Sequence, residues 1–317
     1  MTETTVAPRQ VQIKEPTNLS ARIQWLRDYY FQGVQRQWNN EFTAWTTGTE
    51  WDFQFEELSF YIVPETYAFH PTFKASFKQA ARQVALDPDF WSWSLPERKA
   101  WFVRQVMVDC LPKEILPGDL LAGARFNIVT STCLNRQEAK AYLRRIEGKG
   151  GARQAMKWFH DHGYGNAGAT SGHLIPDYER VLREGWRAIH AELQDHLQAL
   201  SPAERISEKG NQLRAMLTAS SMARDLAAQY RELCQRLAQE EADPARRMEL
   251  AQMADQLSRV PWEPAETFWE AVQSLWLTHM LVMSEENYPG PGTSFGRIDQ
   301  YLYPASVSYT HLRAHET

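Results

Sequence analysis

Apolar residues between Phe268 and Met283 are spaced so that they cover more than one face of a helix. A helix that is apolar around most of its circumference is typical of the interior of a large protein. The run is too short and too often interrupted by polar residues to cross a membrane. The pattern therefore predicts a buried helix over 265–284. The interrupting polar residues are Glu270, Gln273 and His279.

Several other segments carry apolar residues at helical spacing, over 18–46 and again over 73–86. Ser94-Leu-Pro-Glu97 is a capping-box signature that opens a helix through Val108. The remaining predicted helices are 136–160 with a break at 148–151, Asp177–Leu197, a helix from Ser201 to about Glu241, and one that restarts at Asp243.

Strand patterns are few. Residues 124–132 (ARFNIVTST) alternate in part and are rich in β-branched side chains, which favours a strand. In the GRIDQ segment, a strand would place Arg297 and Asp299 on one face, where an Arg–Asp pair is more often structural than catalytic. The predicted fold class for this chain is mainly α with few strands.

Composition and net charge limit the classes of function that are open to this chain. The 317 residues are 43% hydrophobic, which is enough for a large core, and the net charge of −5 gives no basic field for nucleic acid or an anionic membrane. Residues 1–17 are polar and we expect them to be disordered, without a secretory signal. Three cysteines without CxxC spacing suit the cytoplasm and argue against disulfides or a zinc cage.

The last residues, 306–317, read differently from the rest. Val307 to Thr317 (VSYTHLRAHET) reads as a translation of a transposase adapter used in sequencing libraries. We therefore expect this tail to be foreign to the protein and leave it out of the fold assignment, so that 18–305 form the folded portion.

Two motifs suggest ligands and also have plainer explanations. Gly163-Tyr-Gly-Asn-Ala-Gly168 matches GxGxxG, but a dinucleotide site needs a preceding strand, and 152–159 look helical. A loop whose backbone closely approaches another group fits better. His160, His162 and His173 lack a metal-ligand spacing, so we expect no metal site.

Four segments, in order along the chain, resemble the glycyl radical enzymes of the pyruvate formate-lyase family. They are Gly172-His-Leu-Ile-Pro-Asp-Tyr178, the connection from Asp243 to Arg259, the RVP…TFWEA helix over 259–276, and the S.GR.DQYLYP segment over 294–304. The resemblance runs from about residue 111 to 304. It implies the N-terminal portion of a ten-stranded α/β barrel of the pyruvate formate-lyase type.

The resemblance also implies the chemistry. The family uses a thiyl radical on a mid-chain Cys and stores the radical on a Gly of a C-terminal loop, installed by a radical SAM activating enzyme. Neither motif occurs in this chain, and Cys110, Cys133 and Cys234 lie in other segments. We therefore expect an N-terminal fragment without catalytic residues, inactive on its own. The complete protein would be a cytoplasmic homodimer acting on a small molecule, without a directly bound cofactor and without nucleic acid or membrane partners.

The implied activity is a lyase, or a formate acyltransferase-like enzyme, of anaerobic metabolism that cleaves a C–C or C–heteroatom bond. Within the family, the absence of a His-Ser pair from the 287–296 loop weakens the dehydratase interpretation, and an arylacetate-type decarboxylase is favoured over a dehydratase or a C–S (sulfite) lyase. A helical scaffold or binding protein that has lost the catalytic half is the alternative from another class.

Three residues are candidates for substrate binding. The resemblance places His173 of the GHLIPDY segment near the substrate pocket, and Thr293 and Ser294 at the end of the Pro/Gly loop beside it. Hydroxyls can donate to a carboxylate, and a His can donate or accept according to its tautomer. Asp177, after Pro176, is more readily explained as a helix cap than as a catalytic base.

Overall fold

The computed structural model describes residues 20–26, 84–110, 113–123, 133–147, 151–163, 174–285 and 293–307. The chain divides into two units, Met1–Ala68 and Phe69–Thr317. In the first unit, a helix over 21–26 lies within the predicted helix 18–46. Everything below concerns the second unit, and the predictions for 1–17, for the strand 124–132 and for the end of the tail lie outside the described residues.

The second unit is helical throughout its described part, with no strand there. Its helices are α1 (Leu95–Arg104), α2 (Arg136–Glu147), α3 (Ala152–Asp161), α4 (Tyr178–Gln198), α5 (Pro202–Arg205), α6 (Glu208–Glu240), α7 (Pro244–Leu257), α8 (Phe268–Glu285) and α9 (Ile298–Tyr301). A 3-10 turn (Phe90–Ser92) precedes α1, a π-helical turn (Gln105–Cys110) follows it, and a further helical turn covers 303–307.

Local capping explains where several helices begin. A capping box between Ser94 and Glu97 opens α1, and another between Ser201 and Glu204 opens α5. Asp243 accepts from the Ala245 N–H at the start of α7. These starts confirm the predicted ones, although the helix from Ser201 ends at Arg205 and α6 begins afresh at Glu208.

Two sequence predictions differ from the structure. The helix expected over 73–86 does not extend to 84–86, which have no regular secondary structure, and residues 73–83 lie outside the described residues. Asp87 directly precedes Pro88, which disfavours helical backbone, and its carboxylate accepts from the Asp89 N–H in a local turn. The strand expected in GRIDQ is the short helix α9.

One continuous core joins α1, the π-helical turn, α6, α7 and α8. Tyr230, Leu226 and Cys234 of α6 and Leu277 and Met280 of α8 are almost completely buried. The central position of α8 confirms the predicted buried helix. No helix in the described part of the chain is long and apolar enough to span a membrane.

Helix α8 binds the backbone of residues 120–123 through one row of polar side chains. Trp269 Nε1 donates to Leu120 O at 2.7 Å and Trp276 Nε1 donates to Gly123 O at 2.9 Å. Between them, Gln273 Oε1 accepts from the Ala122 N–H at 2.7 Å and its Nε2 donates to Ala122 O at 3.1 Å. Gln273, one of the polar residues that interrupt the apolar pattern of α8, therefore satisfies buried backbone groups of a distant segment.

Gly123 completes this contact. Its φ is 105°, a conformation that L side chains rarely adopt, and an added Cβ would lie 2.7 Å from Trp276 Nε1. The segment can therefore approach α8 this closely only with a glycine at this position.

Helix α4 is interrupted at Gly185, where φ is 73°. The break frees backbone groups for the segment that leads into α8, because Trp186 N–H donates to Pro261 O at 3.0 Å and Arg187 N–H donates to Trp262 O at 2.9 Å. A Cβ at Gly185 would lie 2.3 Å from Trp262 O. These bonds tie the middle of α4 to the segment that leads into α8, and the two helices form the framework of the site described next.

The Gln273 contact can be tested by substitution in the 317-residue chain. Gln273→Leu introduces an apolar side chain of similar size, which leaves the buried N–H and C=O of Ala122 without the partner they have in Gln273. We expect the free energy of unfolding, measured by urea titration, to fall by about 2–4 kcal/mol. Gln252→Leu, at an exposed position of α7, should change it by less than about 0.5 kcal/mol. Equal stability of the two variants would contradict the assignment.

Candidate substrate site

Two segments that are distant in the sequence meet at a single parallel β-bridge between Leu174 and Thr293. Ser294 N–H donates to Leu174 O at 3.1 Å. His173 lies outside the described residues, but it directly precedes Leu174. The structure therefore brings two predicted site residues, Thr293 and Ser294, beside the residue that follows the third.

The two hydroxyls differ in their surroundings. Ser294 Oγ accepts from the Gly296 N–H at 3.2 Å, so it closes a local turn and is exposed. Thr293 Oγ1 is buried and has no hydrogen-bond partner among the described residues. A buried hydroxyl without a partner carries a desolvation cost, which a ligand that hydrogen-bonds to it would offset. Thr293 is therefore the better candidate for a direct contact.

The turn at Gly296 brings the loop close to the strand-like segment. Its φ is 64°, and an added Cβ would lie 2.7 Å from Ile175 Cγ2. A side chain at this position would push the two segments apart. The closeness of the two loops therefore depends on the glycine as well as on the bridge.

Beneath the bridge lies a buried aromatic cluster. Tyr178, the first residue of α4, is 1% exposed, and its hydroxyl shares a hydrogen bond of 2.7 Å with Nδ1 of His279 on α8. The His279 ring, 5% exposed, stacks on Phe295 with ring centroids 4.1 Å apart and planes at 28°. Tyr301 of α9 donates its hydroxyl proton to Phe295 O. The cluster thus joins the start of α4, the middle of α8 and the loop 293–301.

Burial determines the charge of this cluster. It lowers the pKa of His279 to about 4 and raises the pKa of the Tyr178 hydroxyl well above its ordinary value. His279 and Tyr178 are therefore both neutral at neutral pH. Since an uncharged imidazole has one donor and one acceptor nitrogen, it can share a hydrogen bond with the hydroxyl in either direction, according to its tautomer.

Other predicted features contribute no chemistry at this site. Arg297 and Asp299 form an exposed ion pair at 3.3 Å, with side chains 69% and 68% exposed. Asp177 Oδ1 accepts from the Arg180 N–H at 3.1 Å, which confirms its prediction as the cap of α4. Gly163, the first glycine of the GxGxxG motif, follows the helix α3. A dinucleotide site would need a strand in that place.

Two of the three cysteines lie in surroundings that favour the protonated thiol. Cys133 and Cys234 are buried and Cys110 is half-buried. Burial raises the pKa of Cys234 to about 11 and also raises that of Cys110, which favours the protonated thiol over the reactive thiolate. No group of three His, Cys, Asp or Glu side chains in the described part of the chain is placed to hold a metal ion.

The model of the pyruvate formate lyase-like family matches residues 142–306, which include both sides of the bridge and all of the aromatic cluster. The chain belongs to the pyruvate formate lyase-like family. The family resemblance predicted from the sequence is thereby confirmed.

Curated members of the family resemble this chain over shorter stretches. The isethionate sulfite-lyase of Desulfovibrio desulfuricans is 38% identical over 132 residues, which are 41% of this chain and 16% of that protein. The (2S)-3-sulfopropanediol dehydratase of Klebsiella oxytoca is 33% identical over 155 residues, 49% of this chain and 18% of that protein. The indoleacetate decarboxylase of Tractidigestivibacter scatoligenes is 32% identical over 142 residues, 45% of this chain and 16% of that protein.

A solved structure shares the fold. The glycyl radical enzyme from Archaeoglobus fulgidus superposes with a TM-score of 0.56 at 23% identity, over 76% of this chain and 37% of that one. The helical framework of this chain therefore has the same fold as part of that structure. The chain spans less than a fifth of the length of the curated relatives just described.

Sequence reasoning missed Tyr178 and His279 as members of the site. They are 101 residues apart, so no local pattern connects them. The available signal was the polar character of His279 within an otherwise apolar helix, because a buried imidazole needs a partner.

The buried His279 predicts a pH dependence of stability. Since its folded pKa of about 4 lies below the ordinary 6.5, the unfolded chain binds the proton first. Above about pH 6.5 this difference does not affect the free energy of unfolding. As the pH falls from 6.5 to 4, it lowers the free energy of unfolding by up to about 3 kcal/mol.

We expect the urea midpoint of the wild-type chain to fall more steeply between pH 7 and 4 than that of His279→Phe, which cannot take up this proton. Comparing the two pH profiles removes the contribution of titrating groups that both chains share. Asp119 is one of them: burial raises its pKa to about 6, so its contribution to stability rises as the pH falls, opposite to that of His279. Parallel pH profiles for the two chains would contradict the buried, neutral state of His279.

Proposed function

We propose that the complete protein, of which this chain is an N-terminal part, is a glycyl radical lyase that expels sulfite or water from a small hydroxylated sulfonate or diol. The observation that carries the proposal is the Leu174–Thr293 bridge, which brings together two segments of the family pattern. At this bridge the buried hydroxyl of Thr293 has no partner in the part of the chain that the structure describes. A binding pocket that fixes its ligand with a few placed polar groups is built in this way.

The polar groups of the described site are neutral donors and acceptors. Thr293 offers a hydroxyl that has no partner among the described residues, and Ser294 offers a second hydroxyl. His173, which lies outside the described residues, directly precedes Leu174 in the sequence. We propose all three as substrate-binding residues. Such groups can hydrogen-bond to a substrate hydroxyl or to the oxygens of an anionic group.

Catalysis, in this proposal, belongs to the part of the enzyme beyond this chain. A thiyl radical there takes a hydrogen atom from the substrate, the leaving group then departs, and the thiol returns a hydrogen atom. A radical SAM activating enzyme installs the storage radical on a glycine. The ten-stranded barrel and the homodimer of the complete enzyme are parts of the same proposal.

The choice of leaving group is supported by the relatives. The sulfite-lyase is 38% identical to this chain and the sulfopropanediol dehydratase 33%, while the indoleacetate decarboxylase, at 32%, is not favoured over either. The arylacetate-type decarboxylase favoured from the sequence alone therefore gives way to the sulfite-lyase and dehydratase reactions.

The test is a substrate comparison with the complete enzyme, activated until its glycyl radical is visible by electron paramagnetic resonance. Isethionate is assayed for sulfite, (2S)-3-sulfopropanediol for loss of water and indoleacetate for CO2. We expect turnover of a sulfonate substrate and none of indoleacetate. Turnover of indoleacetate alone would contradict the proposed leaving group. A protein that forms no radical would support the non-catalytic scaffold.

The contribution of Thr293 is tested by Thr293→Val, which removes the hydroxyl and keeps the shape of the side chain. Losing one hydrogen bond to the substrate should lower kcat/KM about tenfold or more. The glycyl radical yield should not change, because radical formation needs no substrate. Unchanged kcat/KM in this variant would remove Thr293 from the site.

Two further variants serve as comparisons for Thr293→Val. Ser294→Ala should have a smaller effect, because its hydroxyl already closes the turn with the Gly296 N–H. Thr218→Val, whose hydroxyl donates to Arg214 O within α6, is the matched control and should leave kcat/KM unchanged.

A further inference from the structure

The Tyr178–His279 hydrogen bond occupies a position from which it can control both substrate loops. Tyr178 lies four residues after Leu174, with Pro176 between them to stiffen the connection. His279 stacks on Phe295, two residues after Thr293. One buried hydrogen bond therefore links the two partners of the β-bridge through a second, independent route.

The hydrogen-bonded pair is surrounded by aromatic rings, which offer its polar atoms few other partners. Tyr178 also lies against Phe295 and Tyr301, with ring centroids 6.0 and 6.2 Å apart. Both polar atoms of the bond are in an apolar setting, so breaking it leaves a hydroxyl and a ring nitrogen unpaired. Because leaving buried polar groups unpaired is costly, the bond restricts the orientation of both rings.

We propose that Tyr178 and His279 are positioning residues of the substrate site: their hydrogen bond fixes Phe295, and through it the placement of Thr293 against Leu174. The proposal rests on the proposed function in so far as the two loops bind substrate. Neither residue takes part in the reaction itself. Loss of the bond lets the loop 293–301 move away from Leu174, so substrate binding weakens while the chemical step is preserved.

Hydrogen exchange in the 317-residue chain tests the structural half of this proposal without any turnover. The Ser294 N–H donates to Leu174 O, and the Tyr301 and Leu302 N–H groups bond within the following turn. In Tyr178→Phe at pH 7, we expect the exchange of the 293–302 amides to accelerate about tenfold or more, with α6 and α7 unchanged.

Two substitutions of His279 separate the hydrogen bond from ring packing. His279→Phe keeps a ring against Phe295 and removes Nδ1, whereas His279→Asn keeps a polar atom near the place of Nδ1 and removes the ring. Because the proposed route needs both the hydrogen bond and the ring that stacks on Phe295, both variants should accelerate the exchange of the 293–302 amides. If His279→Phe exchanges at the wild-type rate while His279→Asn is accelerated, the ring acts by packing alone and the proposal is wrong.

The matched control is Thr278→Val. Thr278 is adjacent to His279 and accepts a hydrogen bond of 3.0 Å from Trp186 Nε1, so it joins the same two helices, α4 and α8, away from the loops. Thr278→Val should leave the exchange rates of the 293–302 amides within about twofold of wild type, even if it lowers the overall stability of the chain. If Tyr178→Phe accelerates exchange no more than this control, the proposal is wrong.

In the complete enzyme, Tyr178→Phe should raise KM about tenfold while kcat and the glycyl radical yield stay within about twofold of wild type. A fall in kcat with unchanged KM would instead give Tyr178 a role in the chemical step and overturn the positioning role. If the complete enzyme turns over none of the three substrates, the proposed function fails, and the exchange measurements still decide whether the pair positions the loops.

Discussion

The framework depends on Gln273, Thr278 and His279, polar side chains of the buried helix α8 that hydrogen-bond to other segments of the protein. Gln273 and Thr278 are at most 1% exposed, and His279 is 5% exposed. An unpaired polar group in such a place costs free energy comparable to a lost hydrogen bond or more. Gln273 is paired with the segment 120–123 and the other two residues with α4, so α8 determines where those two segments lie.

On one side, Gln273 and its neighbouring tryptophans hold the backbone of 120–123. On the other, Thr278 accepts from Trp186 and His279 binds Tyr178, which together fix α4. The loop 293–301 is added to this framework by stacking on His279 and by the bridge to Leu174. Three glycines, at 123, 185 and 296, allow the close approaches that these contacts need. The candidate substrate site is therefore supported from two directions by one helix.

The elements that the sequence predicted well are those determined by local chemistry. Ser94, Ser201 and Asp243 cap helices because their side chains reach backbone groups two or three residues away. The buried character of α8 followed from its apolar periodicity alone. The end of the predicted helix 73–86 and the predicted GRIDQ strand were wrong, because a turn at Asp87–Pro88 and the tight turn at Gly296 override patterns only a few residues long.

The site was predictable only in part. The family pattern singled out Thr293 and Ser294 as candidates, and the structure adds that Thr293 Oγ1 has no hydrogen-bond partner among the described residues. The Tyr178–His279 contact could not be read from the sequence, because it joins residues 101 positions apart through the packing of two helices. Periodicity identifies which face of a helix is buried, but not which partner each polar group on that face meets.

The adjacency of the two loops can be measured directly by a cysteine pair, Leu174→Cys with Thr293→Cys. Neighbouring strands lie about 4.8 Å apart, within the Cα separations that a disulfide spans. After mild oxidation, mass spectrometry should find the 174–293 disulfide in most molecules, and hardly any crosslink in a control pair of Thr293→Cys with Met248→Cys, at an exposed position of α7. A 174–293 crosslink no more frequent than the control would contradict the site as described.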